Sequence, residues 1–369
     1  MIAQEPYGKR YDFPAAAFGG SAIEKETFVE THKAKAVQHR RILVMAAALC
    51  IVFLLSFVIG RYPVPLPDVI KILGSRILHL PFAESWDAQM EIAVCNIRLP
   101  RVLLACLVGA ALSAAGCAYQ STFQNPMASP DILGASSGAC FGAALAILFG
   151  LPSIGITLSA FVSSLVTLGI VYLTGAKIRG NRTVSLLLAG IMIGSLFSSG
   201  TSYIKLVADP SNQLPAITYW LMGSLSGTKM RDVAVVLAPM LIGMTVLLLL
   251  RWRVNLLTIS QEEARAMGVR VERLRFCVIL AATLLTAASV AAAGMIGWVG
   301  LVVPNLCRRL SGNDNRFLIP ASMLTGAVFL LLVDDISRNL LAVEIPIGIL
   351  TAFVGAPFFL YLMTRREKG

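Results

Sequence analysis

Residues 251–275 read RWRVNLLTISQEEARAMGVRVERLR and form a charged island between two apolar runs. The island holds six arginines and three glutamates, too many charges to be buried in a lipid bilayer. Ser260 suits the N-cap of a short helix over SQEEARAM, Glu263 completes a capping box, and Gly268 suits the C-terminal cap. A second short turn is predicted over VERLR. Because two membrane helices need only a few residues to reverse direction, a folded segment of this length indicates contact with a cytoplasmic protein.

The composition places the chain in the membrane. Of its 369 residues 57% are hydrophobic and only 14% are charged, and the mean hydropathy is +0.77, values too apolar for a soluble protein of this size. The three histidines, His32, His39 and His79, lie outside the apolar runs and lack metal-ligand spacing. The seven cysteines include no CxxC pair, so we expect packing residues and no metal site.

Hydropathy predicts an all-α, polytopic membrane protein with about ten transmembrane helices. Residues 1–41 are expected to form a cytoplasmic N-terminal tail, mostly disordered apart from a possible short helix over TFVETHKAKAVQHRR. Residues 42–365 form the transmembrane domain, with the cytoplasmic loop 251–275 inside it. The predicted spans are 42–60, 99–119, 132–150, 154–174, 184–206, 233–250, 274–293, 294–311, 317–337 and 344–363.

The distribution of basic residues predicts the orientation. With a cytoplasmic N-terminus, 22 of the 31 lysines and arginines fall on the inner side and 9 on the outer side. By the positive-inside rule, both termini and the loop 251–275 are cytoplasmic in a multi-pass protein of the cell membrane. The net charge of +11 is therefore explained by topology, and we expect no nucleic-acid partner.

Several stretches have more than one interpretation. The segment GMIGWVGLVVPNLCRRL carries Gly294, Gly297, Gly300 and Pro304, which predict a broken helix lining a path; a kinked packing helix is the alternative. Small residues at every fourth position in spans three and five indicate packing seams, or helices that slide during transport. The inner segment 119–131 is a simple turn or a second contact surface. The charges Asp334, Asp335, Arg338 and Glu344 lie at a solvated helix end or at a functional site.

Recognisable catalytic chemistry is absent from the sequence. It contains no GxxxxGK[ST] phosphate loop, no HExxH and no GxSxG, and we expect no catalytic residue. No acid or histidine is predicted at the middle of a span, where a proton-coupled carrier normally has one. Energy for transport must then come from another polypeptide, or transport is passive.

Dispersed motifs in the right order resemble the FecCD-type permease subunits of ATP-binding-cassette (ABC) importers for iron-siderophore complexes, haem and vitamin B12. The resemblance extends over roughly residues 42–365. It is carried by RLPR (98–101), GAALSAAGCAYQSTFQNPMASPDILGASSGA (109–139), LLLAG (186–190), EEARAMGV (262–269), GMIGWVGLVVPN (294–305) and EIPIGILTAFVGAPFFLYLM (344–363).

The resemblance implies a type II ABC importer permease fold and a set of partners. These are a second permease copy, most simply in a homodimer, two cytoplasmic ATPases that bind ATP and Mg²⁺, an extracytoplasmic substrate-binding protein and surrounding lipid. This chain itself is expected to bind no cofactor. The cargo would be a bulky metal chelate, most simply a ferric siderophore, with haem or vitamin B12 as the alternatives.

The resemblance also implies roles for particular residues. The coupling loop that engages the ATPase would comprise Ser260, Glu262, Glu263, Ala264, Arg265, Met267, Gly268 and Val269. Arg98 and Arg338 would dock the binding protein. Thr183 would lie at the inner gate, and the pathway would include Gly297, Gly300, Pro304 and Asn305. The chain departs from the family pattern FVGLVVPH at Trp298 and at Asn305, which weakens any inference of substrate from that segment.

Two other classes of protein fit the composition. A secondary carrier or channel would transport without an ATPase, and its uptake would collapse with a protonophore. A receptor-like membrane scaffold would show no substrate flux.

Overall fold

The computed structural model describes residues 22–81, 86–178, 182–259 and 261–364, and every regular element in these ranges is helical. A π-helical segment, Ile92–Arg98, and two 3₁₀ turns, Pro130–Leu133 and Asn255–Leu257, connect the α-helices. The α-helices are α1 (Ala22–Val58), α2 (Leu66–Leu78), α3 (Ala88–Glu91), α4 (Leu99–Thr122), α5 (Ala135–Leu148), α6 (Ser153–Lys177), α7 (Arg182–Val207), α8 (Gln213–Leu221), α9 (Met230–Val254), α10 (Gln261–Ala266), α11 (Val271–Ala293), α12 (Val299–Ser311), α13 (Asn315–Asn339) and α14 (Ile347–Thr364).

Each of the ten predicted spans corresponds to one helix, namely α1, α4, α5, α6, α7, α9, α11, α12, α13 and α14. Within the described ranges, seven helical stretches are long and apolar enough to cross a membrane. Helices α5 and α12 are shorter, because irregular backbone precedes each of them. The crossing stretches are Ala36–Val58, Ala88–Thr122, Ser153–Lys177, Arg182–Val207, Met230–Leu257, Val271–Ala293 and Asn315–Asn339.

Helix α4 lies at the centre of the bundle, where it contacts α9, α11, α12 and α13. Small residues on α4 allow its neighbours to approach closely. A Cβ added to Gly109 would overlap the Gly326 carbonyl of α13, and one added to Gly116 would overlap the Gly300 carbonyl of α12. Close backbone approach of this kind is a main source of helix association in lipid, where burial of apolar side chains contributes little.

The small residues of predicted spans three and five form packing seams. A Cβ on Gly142 of α5 would lie 2.5 Å from the Ser159 carbonyl oxygen of α6. On α7, Gly190 and Gly194 face the backbone of residues 132–134 in the same way. The packing interpretation is confirmed by these contacts.

The possible short helix of the predicted tail is present. It begins at Ala22 and is continuous with the first span, because no glycine or proline interrupts residues 22–58; residues 1–21 lie outside the described part of the chain. One expectation needs correction. The stretch VERLR is not a separate turn. It is the first part of α11, which begins at Val271 and also contains no helix breaker.

Candidate functional site

Two stretches of irregular backbone meet inside the helix bundle. Helix α4 ends at Thr122, and residues 123–134 return into the bundle instead of forming a simple turn at its inner surface. A Cβ on Gly134 would lie 3.1 Å from the Cα atom of Gly194, which is close to the midpoint of α7. The second stretch, residues 294–298, joins α11 to α12. Pro130 of the first stretch packs against Gly300, just after the second, where a Cβ would lie 2.5 Å from the proline Cγ.

Glycine and proline account for both irregular stretches. Gly134 and Gly294 adopt positive φ angles of 73° and 69°, which other residues rarely reach. Pro130 begins the 3₁₀ turn and keeps Ser129 extended, with φ −105° and ψ 160°. Irregular backbone at membrane depth persists only where protein surrounds it or where it lines a cavity. The predicted break in the eighth apolar segment is present, and it precedes α12.

A cavity of about 780 Å³ lies beside both stretches. Its lining is mostly aliphatic, aromatic and methionine side chains, with one carboxylate, that of Asp131. The lining residues are Asp131, Leu221, Met222, Met295, Gly297, Trp298, Gly348, Ile349, Ala352, Phe353, Ala356 and Pro357. An apolar concave site with few polar groups is typical of small-molecule binding.

Asp131 is the carboxylate beside the cavity, and hydropathy does not single it out. Hydropathy assigns this residue to an inner turn, whereas the structure places it three residues before Gly134, within the bundle. The Ser136 hydroxyl donates a hydrogen bond to its Oδ1 atom, and the side chain is exposed to the cavity.

Trp298 is held in an unusual conformation at the same cavity. Its φ angle is 69°, in the left-handed region that non-glycine residues seldom adopt. It packs closely on α14, where a Cβ on Gly355 would lie 2.5 Å from the Trp298 Cβ. Residues held in such conformations cluster at functional sites.

The five predicted gate and pathway residues do not all line the cavity. Gly297 lines the cavity. Gly300 and Pro304 are buried in helix packing, so they support the cavity wall without lining it. Thr183 lies in the first turn of α7, outside the lining.

Asn305 connects α12 to the inner part of the structure. Its Nδ2 atom donates to the carbonyl oxygens of Pro126, at 2.9 Å, and Leu301, at 2.8 Å. Its Oδ1 atom accepts a hydrogen bond from Arg308 at 3.1 Å. The role of this residue is therefore to fix the position of the segment 123–134.

The coupling segment contains the predicted short helix, α10, over Gln261–Ala266. Ala264 is fully buried, whereas Glu263, Arg265 and Met267 are exposed. Gly268 ends the segment with a φ angle of 76°, and its amide donates to the Arg265 carbonyl at 2.9 Å. Ser260 lies outside the described residues, and nothing is described for the side chain of Glu262.

Val269 closes the coupling segment with a second backbone bond, from its amide to the Ala264 carbonyl at 3.2 Å. A groove of about 530 Å³ runs beside it, between the ends of α9 and α11. Its lining combines apolar side chains with Arg253, Arg270 and Arg273.

Hydrogen bonds connect residues 255–259, just before α10, to the segment 123–134 and to α13. Gln124 donates through Nε2 to the carbonyl oxygens of Leu257, at 2.9 Å, and Ile259, at 3.2 Å. Asn255 accepts from the backbone and side-chain amides of Asn315, each at 2.9 Å. Sequence reasoning missed these residues, because the pairings join positions more than fifty residues apart and no local pattern marks them.

The opposite end of the bundle contains a buried ion network. Arg101 pairs with Asp334 and with Glu344, each at 2.9 Å. Arg338 pairs with Asp334 at 3.3 Å and also with Asp335. The interpretation of these charges as a solvated helix end is wrong, since the Asp334 side chain has no exposed area.

One predicted docking arginine, Arg338, belongs to this network, and the other, Arg98, bonds backbone carbonyls. Arg98 is 5% exposed and donates to the carbonyl oxygens of Phe57 and Tyr62. Arg338 is 7% exposed. Both guanidinium groups are thus buried and bonded within the chain, and docking of a binding protein through Arg98 and Arg338 stays a prediction.

Comparisons with known proteins agree on one family. The molybdate import permease MolB of Haemophilus influenzae is 38% identical over 87% of this chain and 94% of its own length. The cobalamin import permease BtuC of Halobacterium salinarum is 42% identical over 75% and 74%. The hemin transport permease HmuU of Yersinia pestis is 38% identical over 81% and 93%.

A solved structure of an inward-facing metal-chelate type ABC transporter matches with a TM-score of 0.79 and 37% identity, over 88% of this chain and 98% of the other. The family model described as the FecCD transport family matches residues 48–365. These matches cover the coupling segment, the cavity and the ion network, and the chain belongs to the FecCD transport family.

Proposed function

We propose that this chain imports a bulky metal chelate, most simply a ferric siderophore, using ATP hydrolysed by a separate protein. The single observation that carries the cargo assignment is the cavity of about 780 Å³ with its mostly apolar lining. Relatives named for hemin, cobalamin and Fe(3+)-citrate are consistent with a large chelate. Haem and vitamin B12 are the second candidates, supported by the same cavity and the same relatives.

The partners follow from the same proposal. A cytoplasmic ABC ATPase dimer, which holds the ATP and Mg²⁺, would engage the coupling loop through Glu263, Arg265 and Met267. Family membership implies such an ATPase and an extracytoplasmic binding protein. Both termini would be cytoplasmic, which places the coupling loop on the ATPase side.

A second copy of the chain would complete the pathway as a homodimer. Many large apolar side chains of helices α7 and α14 are exposed and do not pack against other helices of the chain. Those on α7 include Ile191, Met192, Leu196 and Leu206, and those on α14 include Phe353 and Leu360. In a membrane such surfaces face lipid or another helix. The cavity opens beside α14, so a partner at that face would close it.

The contacts suggest how force reaches the cavity. ATP binding would bring the ATPases together and displace α10. The Gln124 amide would transmit this displacement to residues 123–134, because it bonds the backbone just before α10. Movement of that segment would shift Asp131 in the cavity lining and Pro130 against α12.

Replacing Gln124 with methionine should loosen the coupling. The change removes both amide donors and keeps an unbranched side chain of similar length, so we expect uptake per ATP hydrolysed to fall about fivefold, equivalent to about 1 kcal/mol. Uptake and phosphate release are measured in the same proteoliposomes. Gln89→Met, at an exposed position on α3, is the matched control. Unchanged coupling in the Gln124 variant would remove this residue from the transmission path.

Reconstituted uptake tests the proposed function. We expect ferric-chelate uptake that requires ATP, is lost when the phosphate-loop lysine of the ATPase is changed, and persists with a protonophore. Uptake that survives loss of the ATPase but collapses with a protonophore would instead establish a secondary carrier. An absence of flux with every chelate would support a scaffold.

A further inference from the structure

We propose that Asp131 makes the cavity selective for chelates of positive or neutral charge over anionic chelates. This inference rests on the proposed function, because it concerns the cargo of the same cavity. It assigns to Asp131 the role of a specificity-determining residue.

The position of Asp131 in the bundle supports this role. The backbone beside it lies within the bundle, where Gly134 packs on Gly194 near the midpoint of α7. The side chain is exposed to the cavity. A cargo that passes through the cavity would therefore pass the carboxylate.

The charge of Asp131 is not balanced within the cavity lining. Among the lining residues that the structure describes, Asp131 is the one charged side chain. The ion network at the other end of the bundle is different, since Arg101 and Arg338 there pair with Asp334, Asp335 and Glu344.

The two oxygens of the Asp131 carboxylate differ in their hydrogen bonding. Its Oδ1 atom accepts from the Ser136 hydroxyl, which accounts for the local structural role of this side chain. No hydrogen bond to its Oδ2 atom is formed by the described residues, so this oxygen is left to a ligand. A carboxylate in a low-dielectric cavity attracts a cation and repels an anion much more strongly than in water.

Aromatic side chains line the same cavity as Asp131. Trp298 and Phe353 line the cavity together with Asp131. Aromatic faces attract cations through their quadrupole, and indole does so most strongly. A carboxylate beside aromatic rings therefore favours an ammonium-bearing or neutral chelate.

A matched series of chelates tests the proposal. One ferric trihydroxamate with a free ammonium arm has a net charge of about +1, its N-acetyl derivative is neutral, and its N-succinyl derivative is anionic at pH 7. Uptake of each is measured with the complete importer, using wild-type chain, Asp131→Asn and Asp131→Glu. Because all three importers use the same binding protein, the preference of that protein cancels when cation-to-anion uptake ratios are compared.

We expect the cation-to-anion ratio to fall about tenfold in Asp131→Asn, which corresponds to about 1.4 kcal/mol, and to persist in Asp131→Glu. Met222→Lys, at a half-exposed lining position, should also lower the ratio, and it provides the test if Asp131→Asn does not fold. An unchanged ratio in the folded variants would overturn the inference while leaving the proposed function intact. An absence of ATP-dependent uptake of every chelate by the wild type would overturn the proposed cargo and this inference together.

Discussion

Replacing Gly268 with proline is expected to reduce substrate uptake at least about tenfold while ATP hydrolysis continues. The φ angle of 76° at this residue is inaccessible to proline, which fixes φ near −65°. Proline also removes the amide that bonds the Arg265 carbonyl at 2.9 Å. The end of α10 would then lose the conformation that connects it to α11, and force from the ATPase would not reach the membrane helices.

A graded series distinguishes this effect from general instability. Gly268→Ala keeps the amide and meets only the moderate cost of a left-handed conformation, about 1–2 kcal/mol, so we expect an intermediate loss of uptake. Gly227 has a similar φ angle of 71° and, like Gly268, has open space around it. Gly227→Pro should therefore impose comparable strain away from the coupling segment and leave coupling intact. Normal transport by Gly268→Pro would show that the segment does not take part.

Replacing Arg101 with methionine is expected to destabilise the chain by about 3–5 kcal/mol, the usual cost of breaking a buried ion pair. Arg101 pairs with Asp334 and Glu344, and its loss leaves the fully buried Asp334 with Arg338 as its remaining ion-pair partner. The expected result is a large drop in the apparent Tm of the detergent-solubilised protein, measured by size-exclusion chromatography after heating.

Two further variants show whether the loss of stability comes from breaking the buried ion network. The double change Arg101→Met with Asp334→Leu should recover much of the loss, since a buried pair can often be replaced by apolar groups. Arg76→Met breaks the exposed Arg76–Glu91 pair, which has a distance of 2.7 Å, and should cost at most about 1 kcal/mol. Equal stability losses in Arg101→Met and Arg76→Met would show that the network does not hold these helix ends together.

The elements that the sequence predicts well are those with strong local signals. Each of the ten apolar runs corresponds to one helix, and the longest of these helices, α1, contains no glycine or proline. Helix α10 and the left-handed Gly268 were predictable because a cap, a short helical pattern and a glycine occur next to one another. At these positions the local helix propensity and the membrane environment favour the same secondary structure.

The site could be predicted only in part because it depends on contacts between distant segments. Hydropathy treats residues 119–131 as a polar turn, yet Pro130 packs on Gly300 and carries Asp131 into the bundle. Likewise, Asp334 and Arg338 look like a solvated helix end until the positions of Arg101 and Glu344 are known. Gln124 has no local signal, since its partners are carbonyl groups more than a hundred residues away.

We propose that the segment 251–275 faces the cytoplasm and receives force from an ATPase there. The most direct measurement labels single cysteines with a membrane-impermeant maleimide, at Arg265→Cys in α10 and at Arg61→Cys on the opposite face, in a background with the exposed Cys50 and Cys277 replaced by serine. We expect position 265 to be labelled only in inverted vesicles and to cross-link to the ATPase, and position 61 to be labelled only in right-side-out vesicles. Labelling of position 265 from the exterior would contradict the proposal.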